Sequence, residues 1–307
     1  MKAYLMAVTS RDHSLFAQGY LSFSQLDDDI AIVNVDGKEQ FFDPGSRYCP
    51  YQHLEWKHTT VTGIRQVDGG GTVFAQTPNS SYIASRVQRV ADLTMDEHGV
   101  VSGTVKMTFI GDPALSWRQR ALANDIEDVR HELRTDLEHL LPGGMEVKPI
   151  AIDKLEDYEQ PLDVSFFIKG AVGSTAGKRL LVPNDIFTAS MKPSFPHEKR
   201  DIPVYFHYAN TTQDAVRIKF PESIKLESAP TGDKFQFQKF ALYSLSSDAA
   251  PHSVTVHRNF ILGEIVFLPK EYADLRTFYS KLETKDQESI VLSSVPGSTP
   301  ATSTMGN

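Results

Sequence analysis

The sequence contains a single cysteine, Cys49, among 307 residues. An intramolecular disulfide is therefore excluded, and so is a zinc site built from four cysteines. The chain also lacks any stretch close to the ~18 uninterrupted apolar residues that a membrane-spanning helix needs. Its apolar start, residues 1–8, gives way to Thr9-Ser10-Arg11-Asp12 without a small-residue cleavage site, which argues against a cleaved signal peptide.

Positive charge is also scarce. The chain has 31 lysines and arginines against 39 aspartates and glutamates, so its formal net charge is −8. Because broad binding to a phosphate backbone needs clustered lysine and arginine, we expect no nucleic-acid partner. With 40% hydrophobic and 23% charged residues, the composition is that of an ordinary globular protein, and at this length two domains are the default expectation.

Strand patterns dominate the N-terminal part. Residues 2–8 form a half-buried run, and residues 30–35 and 39–43 are two further runs joined by Asp36-Gly37. An Asp-Gly pair between two such runs is a strong hairpin signal. A second hairpin is predicted for residues 86–110, with its turn at 96–99.

One long helix is predicted over residues 113–141. Asp112 is a suitable N-cap, Pro113 suits the first helical position, and Pro142-Gly143-Gly144 ends the pattern. An apolar stripe at spacings of three and four supports the helix, and its members are Leu122, Ile126, Val129, Leu133, Leu137 and Leu140.

Short strands separated by turn residues follow over residues 145–267 and predict an antiparallel sandwich. A final helix begins near Pro269, and residues 289–292 predict a last strand. Residues 293–307 are rich in Ser, Thr, Pro and Gly, and we expect a disordered tail there.

The most informative segment is residues 27–45, in which Asp27-Asp28-Asp29 opens an apolar strand and Asp43-Pro44 closes the returning one. This segment resembles the second half of a transglutaminase-like core, which has a papain-like fold. In that family the first strand begins with the catalytic histidine, the second ends on the aspartate of an Asp-Pro pair, and the cysteine nucleophile lies upstream at the start of a helix. Cysteine attacks, histidine takes its proton and the aspartate orients the imidazole.

The resemblance places Asp43 at the position of the triad acid and Asp28 at that of the histidine. A carboxylate does not replace imidazole as the neutral-pH base of a thiol. Cys49 follows the Asp-Pro pair and does not match the nucleophile, whose position would lie before residue 1. The resemblance therefore implies a vestigial triad acid in a chain without its nucleophile and base. The alternative for Asp43 is a turn aspartate that caps its own backbone.

Residues 42–50, the loop around Trp56, and residues 89–93 and 203–206 extend the resemblance to bacterial multidomain transglutaminase-like proteins. It implies that residues 1–64 are the C-terminal half of the core and that residues 65–292 form a β-rich domain of unknown function. The predicted fold class is α+β, mostly β: a partial transglutaminase-like antiparallel sheet followed by a β-sandwich-like region with one long helix.

The functional prediction is a truncated, non-catalytic transglutaminase-like protein, a pseudoenzyme with a binding or scaffolding role. One alternative is an acyl-transferase or protease-like enzyme whose cysteine is supplied by an upstream segment or a partner chain, with His13 as a stand-in base. The other is an exported peptide- or glycan-binding sandwich. We expect a protein or peptide partner, association through an uncovered N-terminal sheet, no cofactor and no metal. The resemblance suggests the bacterial cell envelope.

Three patterns in the sequence could indicate a metal site, and for each of them a site without a metal is the favoured interpretation. Cys49, His53 and His58 form a C-x3-H-x4-H pattern, but the spacing is not that of a standard zinc site, and packing in an aromatic loop is the favoured interpretation. The three acidic residues at 27–29 are oxygen ligands for a hard cation, yet neighbouring strand residues alternate faces, so a solvated strand entrance is favoured. His131-Glu132 lacks the second histidine of an H-E-x-x-H motif, because Thr135 occupies that position.

Overall fold

Strands make up 43% of the structure and helices 17%, in a computed structural model that describes residues 1–20 and 22–295. The predicted class, α+β and mostly β, is confirmed. Among these described residues, no helix is long and apolar enough to cross a membrane.

The N-terminal residues form a five-stranded antiparallel sheet in the order β3-β2-β1-β4-β5. Its strands are β1 (Lys2–Val8), β2 (Asp28–Val35), β3 (Lys38–Phe42), β4 (Thr62–Gln66) and β5 (Thr72–Gln76). The predicted hairpin is present, with Ile32 opposite Phe41. Asp36 and Gly37 both have positive φ, 52° and 82°, as a two-residue turn of this hand requires.

Alternation gives this sheet two different faces. The inner face covers a small separate core made of Met6, Val8, Ile30, Ile32, Leu54 and Val61. The outer face carries Leu5 and Phe74, which remain 46% and 49% exposed. The predicted domain boundary at residue 64 falls inside β4, because the sheet continues through β5 to Gln76. The hairpin β4–β5 adds to β1 by pairing Met6 with Arg65.

The remaining strands build an eight-stranded sheet, a four-stranded sheet and a two-stranded ribbon. They are β6 (Arg86–Met95), β7 (Val100–Ile110), β8 (Glu146–Asp153), β9 (Leu162–Ala171), β10 (Ser174–Ala176), β11 (Arg179–Pro183), β12 (Val204–Tyr205), β13 (Asn210–Lys219), β14 (Ile224–Ser228), β15 (Asp233–Phe237), β16 (Ala241–Ala250), β17 (Ser253–Leu262), β18 (Val266–Phe267) and β19 (Ser289–Ser294). The large sheet has the order β15-β16-β17-β13-β6-β7-β9-β8, and the four-stranded sheet has the order β10-β11-β19-β14. Strand β12 pairs with β18.

The second predicted hairpin is β6–β7, paired over its whole length. The expectation of a purely antiparallel arrangement is wrong at one place: β6 and β13 pair in parallel. Residues from two distant parts of the chain meet there, so no turn between them gives a local signal. Both sheets contribute to one large core, which includes Leu93 and Val105 from the eight-stranded sheet and Val182 and Leu292 from the four-stranded sheet.

The α-helices are α1 (Asp112–Ala123), α2 (Ile126–Leu140) and α3 (Tyr272–Asp286). The prediction of a single helix over 113–141 is therefore wrong, because the helix is interrupted at Asn124 and Asp125. Asp125 caps a new helix, because its Oδ1 accepts hydrogen bonds from the backbone N–H of Glu127 and Asp128, both at 2.9 Å. The apolar stripe continues across the break, so its periodicity did not reveal it.

One arginine fixes the loop between β8 and β9. Arg118 of α1 is 1% exposed. Its guanidinium donates to the backbone carbonyls of Lys154, Leu155, Asp157, Tyr158 and Gln160 at 2.7–3.4 Å. A buried charge is tolerated there because each of the three guanidinium nitrogens meets at least one carbonyl oxygen.

The last predicted strand is confirmed as β19, which extends to Ser294. The predicted disordered tail, 293–307, is therefore wrong at its start, because Ser293 and Ser294 belong to β19 and the backbone N–H of Val295 donates to the carbonyl of Ser223 at 2.8 Å. Its remainder from residue 296 onward lies outside the described residues.

Candidate functional site

Asp43 and His58 form the centre of the candidate site. Asp43 directly follows β3, and His58 ends the short 3-10 helix Trp56–His58 that leads into β4. His58 Nδ1 lies 2.6 Å from Asp43 Oδ2. The backbone N–H of Glu55 donates to the same carboxylate oxygen at 3.2 Å. The pair is thus an aspartate that fixes the orientation of an imidazole, as the acid of a catalytic triad does.

The other ring nitrogen is also occupied. His58 Nε2 lies 3.0 Å from Asp28 Oδ2 and 3.1 Å from the hydroxyl of Ser10. Asp28 points inward because it shares the inner face of β2 with Ile30 and Ile32. Lys57 Nζ reaches the same Asp28 oxygen at 3.4 Å. One imidazole is therefore held between two carboxylates.

Burial and charge act in opposite directions on His58, whose side chain is 1% exposed while that of Asp43 is fully buried. Burial disfavours the imidazolium, but the hydrogen bond to Asp43 and the charges of Asp43 and Asp28 outweigh it, so the pKa of His58 is raised. The pKa of Lys57 is raised as well, because Glu55 and Asp28 outweigh its partial burial. The arrangement thus favours a charged imidazolium.

Asp28 separates the imidazole from solvent. Its side chain is 30% exposed, and it lines an open cleft of about 470 Å³ with Asp27, Asp29, Pro44 and Gly45. Asp27 and Asp29 are exposed, whereas Asp28 turns inward, so the three acids do not act as one cluster. A ligand entering this cleft meets the Asp28 carboxylate before it meets His58.

Both residues predicted from the sequence, Asp28 and Asp43, thus converge on one imidazole, although their catalytic roles stay predictions. His13 does not take the place of the base, because it is exposed and lies 3.3 Å from Asp27. His58 does. The sequence analysis did not predict this pairing, since it considered His58 only within the C-x3-H-x4-H pattern, for which packing in an aromatic loop was favoured. The available signal was its position just before β4, the strand that pairs with β1.

The C-x3-H-x4-H residues have three different sets of partners. Cys49 Sγ donates to the carbonyl oxygen of His53 at 3.2 Å, and His53 Nε2 lies 3.2 Å from Asp112 Oδ1. His58 faces Asp43 instead. Burial, together with the charges of Asp43, Glu55 and Asp112, raises the pKa of the Cys49 thiol far above its ordinary value. A thiol in that state is a poor nucleophile and a poor metal ligand.

A different set of atoms has the geometry of a metal site. Ligand atoms of Asp43, Glu55 and His58 lie within 4.8 Å of one another, and Asp43 Oδ1 is buried without a hydrogen-bond partner among the described residues. Two carboxylates and an imidazole suit zinc. However, a cation bound by His58 would have to displace either its 2.6 Å contact with Asp43 or its contact with Asp28. The observed contacts therefore favour a protonated His58 between the two carboxylates over a bound metal ion.

Comparison with known proteins identifies one part of the chain. Residues 178–292 match the model of a family described as "Domain of Unknown Function with solved-structure structure (DUF3858)". The match falls inside the predicted β-rich domain. No curated protein matches the chain.

Among solved structures, the chain is similar to one described as "a putative protease from Parabacteroides distasonis ATCC 8503". The TM-score is 0.45 with 11% sequence identity, and the alignment covers 95% of this chain and 40% of that one. The chain thus spans about 40% of the length of that protein. A likeness this distant carries no argument about activity.

Proposed function

We propose that this protein is a transglutaminase-like pseudoenzyme whose first sheet binds a protein or peptide and which performs no thiol acyl transfer of its own. The proposal rests on the fact that a carboxylate contacts each ring nitrogen of His58. Asp43 lies against Nδ1, Asp28 lies against Nε2, and the ring is buried. A general base needs one nitrogen directed at the nucleophile it activates. Here that nitrogen faces a carboxylate.

The state of the Cys49 thiol supports the same proposal. Cys49 donates its proton to the carbonyl of His53, and its raised pKa leaves almost no thiolate at neutral pH. The thiol of Cys49 and the imidazole of His58 share no hydrogen bond among the described residues.

The outer face of the first sheet is the binding surface in this proposal. It carries Leu5 and Phe74, about half exposed, and Phe16 packs against Phe74 with ring centroids 5.8 Å apart. Ala31 and Val33 of β2 lie on the same face. Exposed apolar side chains on a sheet face favour association with another polypeptide.

The catalytic half of the proposal is tested by a hydroxamate-transfer assay and a peptide-hydrolysis assay of the purified chain, with Cys49→Ala as control. We expect no turnover above background in either protein. Turnover that disappears on thiol alkylation or in the Cys49→Ala variant would refute the proposal.

The binding half is tested on a peptide array with the Leu5→Glu/Phe74→Glu double variant. Val90→Glu is the matched control, because Val90 is equally exposed, at 50%, but lies in the eight-stranded sheet. We expect the double variant to lose the apolar peptides that the native chain and the control both retain. An array on which all three proteins give the same peptides would refute the assignment of this face.

One observation favours a second candidate, acyl transfer with another nucleophile. Ser10, His58 and Asp43 are linked by hydrogen bonds in the order of a serine triad, at 3.1 and 2.6 Å. Ser10 is only 2% exposed and shares Nε2 with Asp28, so substrate access would require Asp28 to move. Labelling by a fluorophosphonate that is lost in Ser10→Ala, and increased in Asp28→Asn, would favour this candidate over the first.

A further inference from the structure

A further interaction surface lies at the free edge of the first sheet. Strand β5 (Thr72–Gln76) is the last strand in the order β3-β2-β1-β4-β5, so among the described residues it pairs only with β4. Four of its five residues are exposed, and only Ala75 is partly buried. The proposed function uses the outer face of this sheet and leaves its edge unassigned.

Strand β5 lacks the features that keep sheet edges from pairing with other chains. Natural edge strands are protected by charged side chains, proline, bulges or short length. Every other edge strand among the described residues has at least one of these features. They are Lys38 and Glu39 in β3, Asp233 and Lys234 in β15, Glu146, Lys148 and Pro149 in β8, Lys225, Glu227 and a bulge in β14, and a length of two or three residues in β10, β12 and β18. The sequence of β5, Thr-Val-Phe-Ala-Gln, contains neither a charge nor a proline.

Hydrogen bonds at the two ends of β5 show how its backbone is oriented. The N–H of Thr77 donates to the carbonyl of Val61 at 2.9 Å, and the N–H of Val67 donates to the carbonyl of Gly71 at 3.0 Å. Hydrogen-bonded positions alternate along an antiparallel pair. The odd-numbered residues of 71–77 therefore bond to β4.

The even-numbered residues of β5 have the opposite orientation. The N–H and C=O groups of Thr72, Phe74 and Gln76 point away from β4, towards the free edge. In an antiparallel pair of two β5 strands centred on Phe74, Thr72 lies opposite Gln76 of the second copy, and Phe74 lies opposite its own equivalent. All three positions are then hydrogen-bonded positions, so the pair forms six main-chain hydrogen bonds. The edge is thus complementary to itself in this register.

Charge and side-chain direction fit the same pairing. Since β5 contains no charged residue, two copies bring no like charges opposite one another. Phe74 lies opposite Ile64, which lies opposite Ala7, so all three belong to the outer face. The two Phe74 side chains therefore lie beside each other on that face, and cross-strand aromatic pairs stabilise antiparallel strands. Phe16, whose ring centroid is 5.8 Å from that of Phe74, extends this apolar contact in each copy.

From the unprotected edge, its outward hydrogen-bonding groups and its lack of charge, we propose that β5 pairs with β5 of a second copy of this chain. Two five-stranded sheets then form one ten-stranded antiparallel sheet. The two-fold axis passes between the two Phe74 residues, perpendicular to the sheet, so the outer faces of both copies join in one surface. The proposal does not depend on whether that surface binds a peptide.

The first test is sedimentation equilibrium of the native chain. Six main-chain hydrogen bonds and one aromatic pair form a smaller interface than the ~1,200 Å² of a stable complex, so we expect a Kd of about 10–500 µM. The average mass should rise towards that of a dimer at about 1 mM chain, where a dimer of this affinity predominates. A chain that remains monomeric at that concentration would overturn the proposal, also if its edge binds a foreign peptide instead.

Two double variants test the register. Thr72→Lys/Gln76→Lys places lysine opposite lysine in both symmetry-related pairs, whereas Thr72→Lys/Gln76→Glu places lysine opposite glutamate. We expect the lysine–glutamate variant to dimerise at least about tenfold more tightly. The lysine–lysine variant has the smaller net negative charge, so general repulsion between copies would give the opposite order. Equal dimerisation of the two variants would overturn the pairing of β5 with itself.

The two variants are matched controls for each other, because both change the same two exposed residues. They should unfold at the same urea concentration. The measurement on the native chain decides by itself whether a dimer forms, so the proposal stays falsifiable if a variant is unstable. Leu5 and Phe74 are unchanged in both variants. The proposed peptide binding by the outer face and the proposed dimer can therefore fail separately.

Discussion

Replacing Asp43 by asparagine removes the charge that holds His58 in place. Both side chains are essentially excluded from solvent, so little screening weakens their 2.6 Å contact. Breaking a buried ion pair by removing one partner costs about 3–5 kcal/mol. His58 retains Asp28, a partly exposed second partner at 3.0 Å, so the cost should fall below that range. We expect a loss of about 2–3 kcal/mol in the free energy of unfolding at pH 5.5, where the imidazole is charged.

The measurement is urea unfolding of native and Asp43→Asn chains, followed by circular dichroism and by tryptophan fluorescence, since Trp56 lies in the site loop. Asp29→Asn is the control, because Asp29 sits beside Asp28 but is exposed. The control should change stability by less than about 0.5 kcal/mol. An Asp43→Asn chain as stable as the control would show that the buried pair contributes nothing, and the account of the site would fail.

Three further outcomes follow from the structure. The folded-state pKa of His58 is raised, so its contribution to the free energy of unfolding is complete below the unfolded pKa of about 6.5 and is lost as pH rises through the folded-state pKa. His58→Gln should abolish this part of the pH dependence of urea unfolding. Arg118→Met removes the buried donor that holds five backbone carbonyls together and should cost about 3 kcal/mol, with faster proteolysis of the 154–160 loop as a second readout. The folded-state pKa of Asp185 is raised, so the ionisation of this carboxyl lowers the free energy of unfolding as pH rises above about 4. Asp185→Asn should therefore be more stable than the native chain at pH 8 but not at pH 4.

Local patterns were sufficient for the hairpins and for the last strand. Asp36-Gly37 predicts its turn because both residues accept positive φ, and the flanking runs predict both strands, although β2 begins two residues before the predicted run, at Asp28. The break between α1 and α2 was not predictable from the apolar stripe, since Asp125 caps through its own side chain while the stripe continues. The predicted boundary at residue 64 falls inside β4, because β5 extends the same sheet by pairing with β4, a contact that no composition change in the sequence marks.

The sequence predicted only two of the residues in the candidate site. Asp28 and Asp43 stand out because they flank one hairpin and resemble two triad positions. His58 is 15 residues beyond Asp43 along an irregular loop, and no spacing rule links the two. Ser10 has even less local signal, because its contact with His58 spans 48 residues.

The sequence by itself determined the strand-rich class, the two hairpins and the absence of a disulfide. These depend on residue identity and on the two-residue period of a strand, which act over short distances. The tertiary structure alone decided which histidine meets Asp43 and how β6 and β13 pair. Those contacts join residues that are far apart in the chain, and their energies exist only once the sheets have packed.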